Sequence, residues 1–207
     1  MGQSYEVQCL LIRHGKTQGN VERRYVGCRT DEHLCDEGIA QMQWLKKHLP
    51  ECTSRCHLFT SPLVRARESA AIAFGGFIPE VIEEMKEIDF GEFEGKNYQQ
   101  LAEDRSYLTW LASRGILPFP HGEPRDIFVK RNVEAFRKVV LAHKTSQDPL
   151  IFMVHGGSIM AVLSELTGKD YYDFQVANGN GYEVIIHIKG DTIDGVSYHI
   201  LFDGDTP

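Results

Sequence analysis

The spacing of apolar positions changes period along the chain, and the changes mark its elements. Val7 to Ile12 is a short, mostly apolar run ending on the pair Arg13-His14. That is the pattern of a buried strand whose carboxyl end opens on a site. From Gly38 to Leu49, the residues Ile39, Met42, Leu45 and Leu49 form a helical stripe. Leu58 to Thr60 predicts a second strand. Ser61-Pro62 then predicts a helix start, with a hydroxyl N-cap and proline at the first helical position. Gly75-Gly76 should end that helix. Leu150 to Val154 predicts a third strand, and Ser158 to Leu166 a helix stopped by Gly168. Tyr182 to Ile188 and Thr192 to Leu201 predict a closing hairpin around Lys189-Gly190-Asp191.

The stretch from about Tyr98 to Lys144 differs in character. It predicts one helix carrying Tyr98, Leu101, Leu108 and Leu111, and a second carrying Val129, Val133, Phe136 and Val140. The turn-rich segment Leu117-Pro118-Phe119-Pro120-His121-Gly122 separates them. This stretch is expected to be a helical cap inserted at about residues 92–146 of a single domain spanning 1–207. Alternating strands and helices predict a three-layer α/β/α fold, with a mostly parallel sheet and helices on both faces. Ligands of such sheets bind at the carboxyl ends of the strands.

Composition narrows the partners. The chain has 207 residues, 42% of them hydrophobic and 25% charged, which suits one ordinary globular domain. A net charge of -7 disfavours nucleic acid, whose phosphates reward clustered Lys and Arg. A small anion held in a local cationic pocket remains compatible with that charge. The five cysteines are odd in number and irregularly spaced, so thiols are expected rather than a disulfide framework. Cys52 and Cys56 lack a second ligand pair at zinc spacing, and no metal or other cofactor is expected. No apolar run reaches the length of a membrane span. The start MGQSYEVQC has no basic region leading into an apolar one, and Glu6 stands where a myristoylation motif needs Ser or Thr. A cytoplasmic location is expected, with no membrane partner.

The candidate chemistry lies at the ends of the predicted strands. Arg13 and His14 follow the first, Arg65 the second and His155 the third. Strands that end on one edge of a sheet bring such groups together. A phosphomonoester dianion needs its oxygens neutralised and an in-line nucleophile. Arginine's planar fork matches paired phosphate oxygens. Arg65 lies in the first turn of a predicted helix, where the dipole favours an anion. Gly156-Gly157-Ser158 exposes backbone N–H groups at another helix start. His14 is the expected nucleophile, kept neutral by the arginines. Glu87, in Lys86-Glu87-Ile88-Asp89-Phe90-Gly91, is the expected proton donor. The arginines would lower its pKa and burial would raise it, and sequence leaves the direction open.

These segments resemble the signature of the histidine phosphatase (phosphoglycerate mutase-like) superfamily. The matching blocks are Leu11-Ile12-Arg13-His14-Gly15-Lys16-Thr17 with Asn20, then Arg24-Tyr25-Val26-Gly27 with Asp31, Leu34, Gly38 and Gln41. Ser61-Pro62-Leu63-Val64-Arg65-Ala66, Glu87 to Gly95 and Val154-His155-Gly156-Gly157 follow in family order. The resemblance implies that His14 becomes phosphorylated and that Glu87 is the general acid. It implies that Arg13, Arg65 and His155 hold the phosphoryl group, with Asn20 and Gly156 in the same pocket. Lys16, Thr17, Gly27, His121 and Glu123 are candidate substrate-binding residues. Cys35 stands where many members have a helix-capping threonine, and Lys16 replaces a commonly acidic or amide residue. The chain looks most like the family's phosphatases, among them the α-ribazole phosphatases, whose partner is a small phosphorylated metabolite. A phosphoglycerate mutase and a phospho-ligand binding module without turnover are the alternatives.

Overall fold

The structure, a computed structural model, describes residues 3–49 and 55–204. Cys52 lies outside the described residues. A six-stranded mixed sheet of order β3-β2-β4-β1-β5-β6 forms the centre. Its strands are β1 (Ser4–Arg13), β2 (His57–Thr60), β3 (Glu80–Val81), β4 (Leu150–Val154), β5 (Gly181–Lys189) and β6 (Thr192–Ile200). The pairings among β1, β2, β3 and β4 are parallel, and those of β1 with β5 and β5 with β6 are antiparallel. The fold is α/β, as the alternation predicts.

Both faces of the sheet are covered, which explains why β1 and β4 read as continuous apolar runs. On one face Val7, Cys9, Leu11, Phe152 and Val154 pack against Phe136 and Val140 of α5 (Arg125–Ala142) and Ile159, Val162 and Leu163 of α6 (Gly156–Thr167). On the other, Leu10, Ile12, Ile151 and Met153 meet Met42 and Leu45 of α2 (Asp36–His48) and Ala66, Ala70 and Ala73 of α3 (Val64–Ala73). A four-residue α1 (Gln18–Val21) lies between β1 and α2.

Three expectations need correction. α3 begins at Val64 without a side-chain cap of its own, two residues later than Ser61-Pro62 implies. The carboxylate of Asp31 accepts the Val64 amide at 2.7 Å, while the Ser61 hydroxyl accepts the Leu63 amide at 3.3 Å. The first cap helix, α4 (Arg105–Ala112), is short because Asp104 caps it, accepting the Ser106 and Tyr107 amides. Its inner face carries Tyr107 and Trp110, which pack on Phe93, while Tyr98, Leu108 and Leu111 are exposed. α5 is shared between two layers. Phe128 joins a cap cluster with Ile88, Phe93, Leu101, Tyr107 and Phe119, whereas Phe136 and Val140 belong to the sheet core.

Candidate active site

β1, β4 and β2 stop at one level, and the residues that follow them face one another. Arg13 is in register with Val154, so His14 and His155 leave the sheet side by side. The His14 amide donates to the Val154 carbonyl at 3.0 Å, and the two imidazole centroids are 5.1 Å apart. Thr60 ends β2 opposite Met153, and Ser61 then brings its hydroxyl to His155 Nε2 at 2.7 Å. Arg65 arrives from the first turn of α3.

Arg65 is fully buried. Its Nη1 donates to the Thr30 carbonyl at 2.8 Å, and its Nη2 to those of Val26 and Gly27 at 3.3 and 3.1 Å. Neutral carbonyls accept three of the guanidinium's N–H groups, and the carboxyl groups of Glu87, Asp31, Glu94 and Glu32 act on its charge, against the cost of burial. Its Nε donates to His14 Nε2 at 3.2 Å. His14 Nδ1 lies 2.7 Å from the Gly15 carbonyl, which assigns the proton to Nδ1 and the lone pair to Nε2. Burial, then Arg65 and Arg13, hold the imidazolium well below the ordinary histidine range, outweighing the Gly15 bond. His155 is lowered in the same way, by burial first and then by Arg65, His14 and Arg13. Arg13 Nη1 donates to the Val176 carbonyl at 2.8 Å. Arg13 Nε and His155 Nδ1 are buried with no hydrogen-bond partner among the described residues. Buried polar groups are rarely left so, and here they suit an anion.

Glu87 reaches the same place from the turn after Glu83–Met85. One of its oxygens accepts the Ile88 amide at 2.9 Å, the other the Gly157 amide at 3.2 Å. A Cβ at Gly157 would lie 2.2 Å from Glu87 Oε1, so this approach requires glycine. Burial raises the Glu87 pKa, and the Ile88 amide, Arg65, the Gly157 amide and Arg13 oppose it without prevailing. The direction that sequence leaves open is upward.

A cavity of about 610 Å³ opens beside these groups. Arg13, Glu87, Gly156 and Gly157 line one part of it, and Tyr25, Phe90, Trp110, Phe119, Tyr171 and Tyr172 another. The Arg125 guanidinium stands 5.3 Å from the Tyr171 ring and 5.8 Å from that of Tyr172. Trp110 of α4 is thus part of the cavity wall. His14, Arg65 and His155 are buried next to Arg13 and Glu87 and do not line the cavity.

The other sequence-marked residues sit outside that wall. Asn20 and Thr17 cap each other at α1, and Asn20 Oδ1 also accepts from Asn178 at 3.2 Å. Lys16 pairs with Glu37 at 2.9 Å and does not line the cavity. Gly27 serves through its backbone, its carbonyl receiving Arg65 and its amide donating to Glu94 at 3.0 Å. His121 is 81% exposed in its side chain and approaches Glu92. Glu123 turns away from the cavity and binds Arg131 through both oxygens, at 2.7 and 2.8 Å.

Sequence reasoning missed Asn178, whose amide donates to the His14 carbonyl at 3.0 Å, and Ser61 as the partner of His155. The Asn178-Gly179-Asn180-Gly181 turn ahead of β5 is the signal that marks the first. Cys28, Asp89 and Glu94 place three donor atoms within 4.8 Å of one another. Asp89 already pairs with Arg29 at 2.8 Å, and Glu94 accepts from Gly27 and Thr30. No helix among the described residues is long and apolar enough to cross a membrane.

Residues 9–199 match the profile of the histidine phosphatase superfamily, branch 1. A crystal structure from Escherichia coli K-12, provisionally assigned as an α-ribazole-5′-phosphate phosphatase, superposes with a TM-score of 0.77 at 25% identity. That match covers 95% of this chain and 96% of the other. The crystal structure of phosphoglycerate mutase from Thermus thermophilus has a TM-score of 0.64 at 34% identity, covering 86% and 92%. The adenosylcobalamin/α-ribazole phosphatase of Salmonella typhimurium is 29% identical over 178 residues, 82% of this chain and 85% of its own length.

Proposed function

Because the chain belongs to the histidine phosphatase superfamily, we propose that it hydrolyses a small phosphomonoester through a phosphohistidine on His14, with α-ribazole 5′-phosphate a candidate substrate. The observation that carries this reading is the hydrogen-bond pattern at His14. Nδ1 is committed to the Gly15 carbonyl, and a neutral Nε2 faces the buried Arg65. That is an activated nucleophile held in one tautomer beside a buried guanidinium.

In this reading Arg13, Arg65 and His155 turn their N–H groups to the phosphoryl oxygens, as electrostatic stabilisation of the transition state requires. A Ser61 hydroxyl that donates to His155 Nε2 leaves the proton of that imidazole on Nδ1, a donor. The bond from His14 Nε2 to phosphorus forms as the ester oxygen leaves opposite it, and Glu87 gives its proton to that oxygen. The resulting carboxylate takes a proton from the water that attacks the phosphohistidine, which releases phosphate and restores His14. Two guanidiniums meet the phosphoryl charge, so chelators are expected to leave turnover unchanged.

The aromatic wall formed by Tyr25, Trp110, Phe119 and Tyr171 supports a leaving group with a flat ring, such as the benzimidazole nucleoside of α-ribazole. The identity with the Thermus phosphoglycerate mutase keeps a mutase as the second reading. The two separate in one assay that supplies α-ribazole 5′-phosphate, other nucleoside monophosphates and 3-phosphoglycerate. Phosphate release from the ring-bearing esters is expected. Conversion of 3- to 2-phosphoglycerate without phosphate release would establish the mutase, and inertness toward every ester would leave a binding module.

A further inference from the structure

Glu123 and Arg131 lie outside the cavity wall, yet their hydrogen bonds converge on the segment that carries Glu87. Arg131 Nη1 donates to the Glu84 carbonyl and, at 2.8 Å, to that of Lys86. Its Nη2 donates to the carbonyl of Glu87 itself at 3.2 Å. The other edge of the guanidinium grips both Glu123 oxygens. Glu123 is anchored in turn, because its amide donates to the Asp89 carbonyl at 2.9 Å. The Glu92 amide donates to the Pro120 carbonyl at 2.9 Å, so residues 120–123 are joined to 89–92 along both chains. Gly122 permits this closeness, since a Cβ there would lie 2.5 Å from the Asp89 carbonyl oxygen. The guanidinium also stands 4.8 Å from the centre of the Phe128 ring. The tip of that ring would touch a Cβ on Gly157, whose amide holds the second Glu87 oxygen.

We infer that the Glu123–Arg131 pair positions Glu87, tying the cap's return at residues 120–123 to the backbone that aims the carboxyl group. The inference rests on Glu87 being the proton donor. Arg131 does not itself line the cavity; its charge adds to the lowering of the His155 pKa, and it reaches Glu87 through the carbonyls at 84, 86 and 87. A planar fork suits that task, because a lysine ammonium cannot span three carbonyls and a carboxylate in one plane. A shift of about 1 Å in a reacting group can cost on the order of 10²-fold in rate.

The test uses the ratio of kcat/KM for benzyl phosphate to that for p-nitrophenyl phosphate. The first leaving group needs a proton and the second hardly does. Both rates are read in one preparation, so an unfolded fraction cancels. In Arg131→Met the ratio is expected to fall by roughly 10- to 100-fold, and in Glu123→Gln in the same direction by less. Neither substitution should change the ratio when placed on Glu87→Gln. Glu123→Gln keeps the side chain's size and one acceptor oxygen, and it carries the test if Arg131→Met does not fold. Equal losses on both esters would overturn the inference, as would a ratio change that persists without the Glu87 carboxyl. A Glu87→Gln ratio equal to that of the parent would remove the proton-donor reading itself, and the inference with it.

Discussion

The Glu87 carboxyl sits in a contest between solvation and charge. Two backbone amides and two arginines favour its ionised form, and burial favours the neutral one more strongly. A raised pKa keeps the proton in place to higher pH, as a general acid near neutrality needs. The sign follows: turnover of an alkyl ester should fall as pH rises through the Glu87 pKa, because the donor is then lost. Glu87→Gln should slow benzyl phosphate by roughly 10²–10⁴-fold, slow p-nitrophenyl phosphate less, and abolish that alkaline fall. A pH–rate profile whose alkaline limb survives in the variant would remove Glu87 from the role. Motif position named Glu87 and His14 in the sequence, because the chemistry depends on their residue types. It did not reveal burial, and so could not give the direction of the pKa. The same limit explains Lys16 and Glu123. Both are candidates for substrate contact, and the residues they pair with in the structure, Glu37 and Arg131, lie outside the motif blocks.

Elements with a strong period were legible, and elements set by a remote contact were not. β1, β4 and the β5–β6 hairpin follow their apolar patterns closely. The two-residue β3 exists only through its pairing with Phe59 and Thr60, and its own Glu80-Val81 is exposed. The start of α3 depends on the Asp31 carboxylate, more than thirty positions upstream. α4 takes its phase from the Asp104 cap and from Tyr107 and Trp110 against Phe93, rather than from its leucines. α2 shows the opposite case, a local defect readable in advance. Its N-cap is Cys35 in extended geometry with no side-chain cap bond, although Asp36 and Glu37 and then Lys46, Lys47 and His48 complement the helix dipole. Cys35→Thr should supply the missing acceptor and raise the unfolding free energy by about 0.5–1 kcal/mol. Denaturant melts of the two proteins at one pH measure this, and an unchanged or lower midpoint would count against it.

At the scale of the molecule, an acidic chain encloses a cationic centre. The net charge is -7, yet Arg13 and Arg65 converge on two imidazoles that their charges help keep neutral. The parallel register accounts for this, since β1 and β4 end in step and β2 alongside them. Residues separated by more than a hundred positions thereby become neighbours. Sequence supplied the strands and the residues that follow them. Of the aromatic cavity wall, Tyr25 and Phe90 lie within the motif blocks, while Trp110 of α4, Phe119 and the Tyr171–Phe174 turn carry no motif of their own. The most direct measurement is to quench the enzyme during turnover of a radiolabelled phosphomonoester and locate the bound phosphate. A phosphoryl group stable to alkali, lost in acid, carried on His14 and absent from His14→Ala is expected. Undiminished turnover in His14→Ala, or label on another residue, would contradict it.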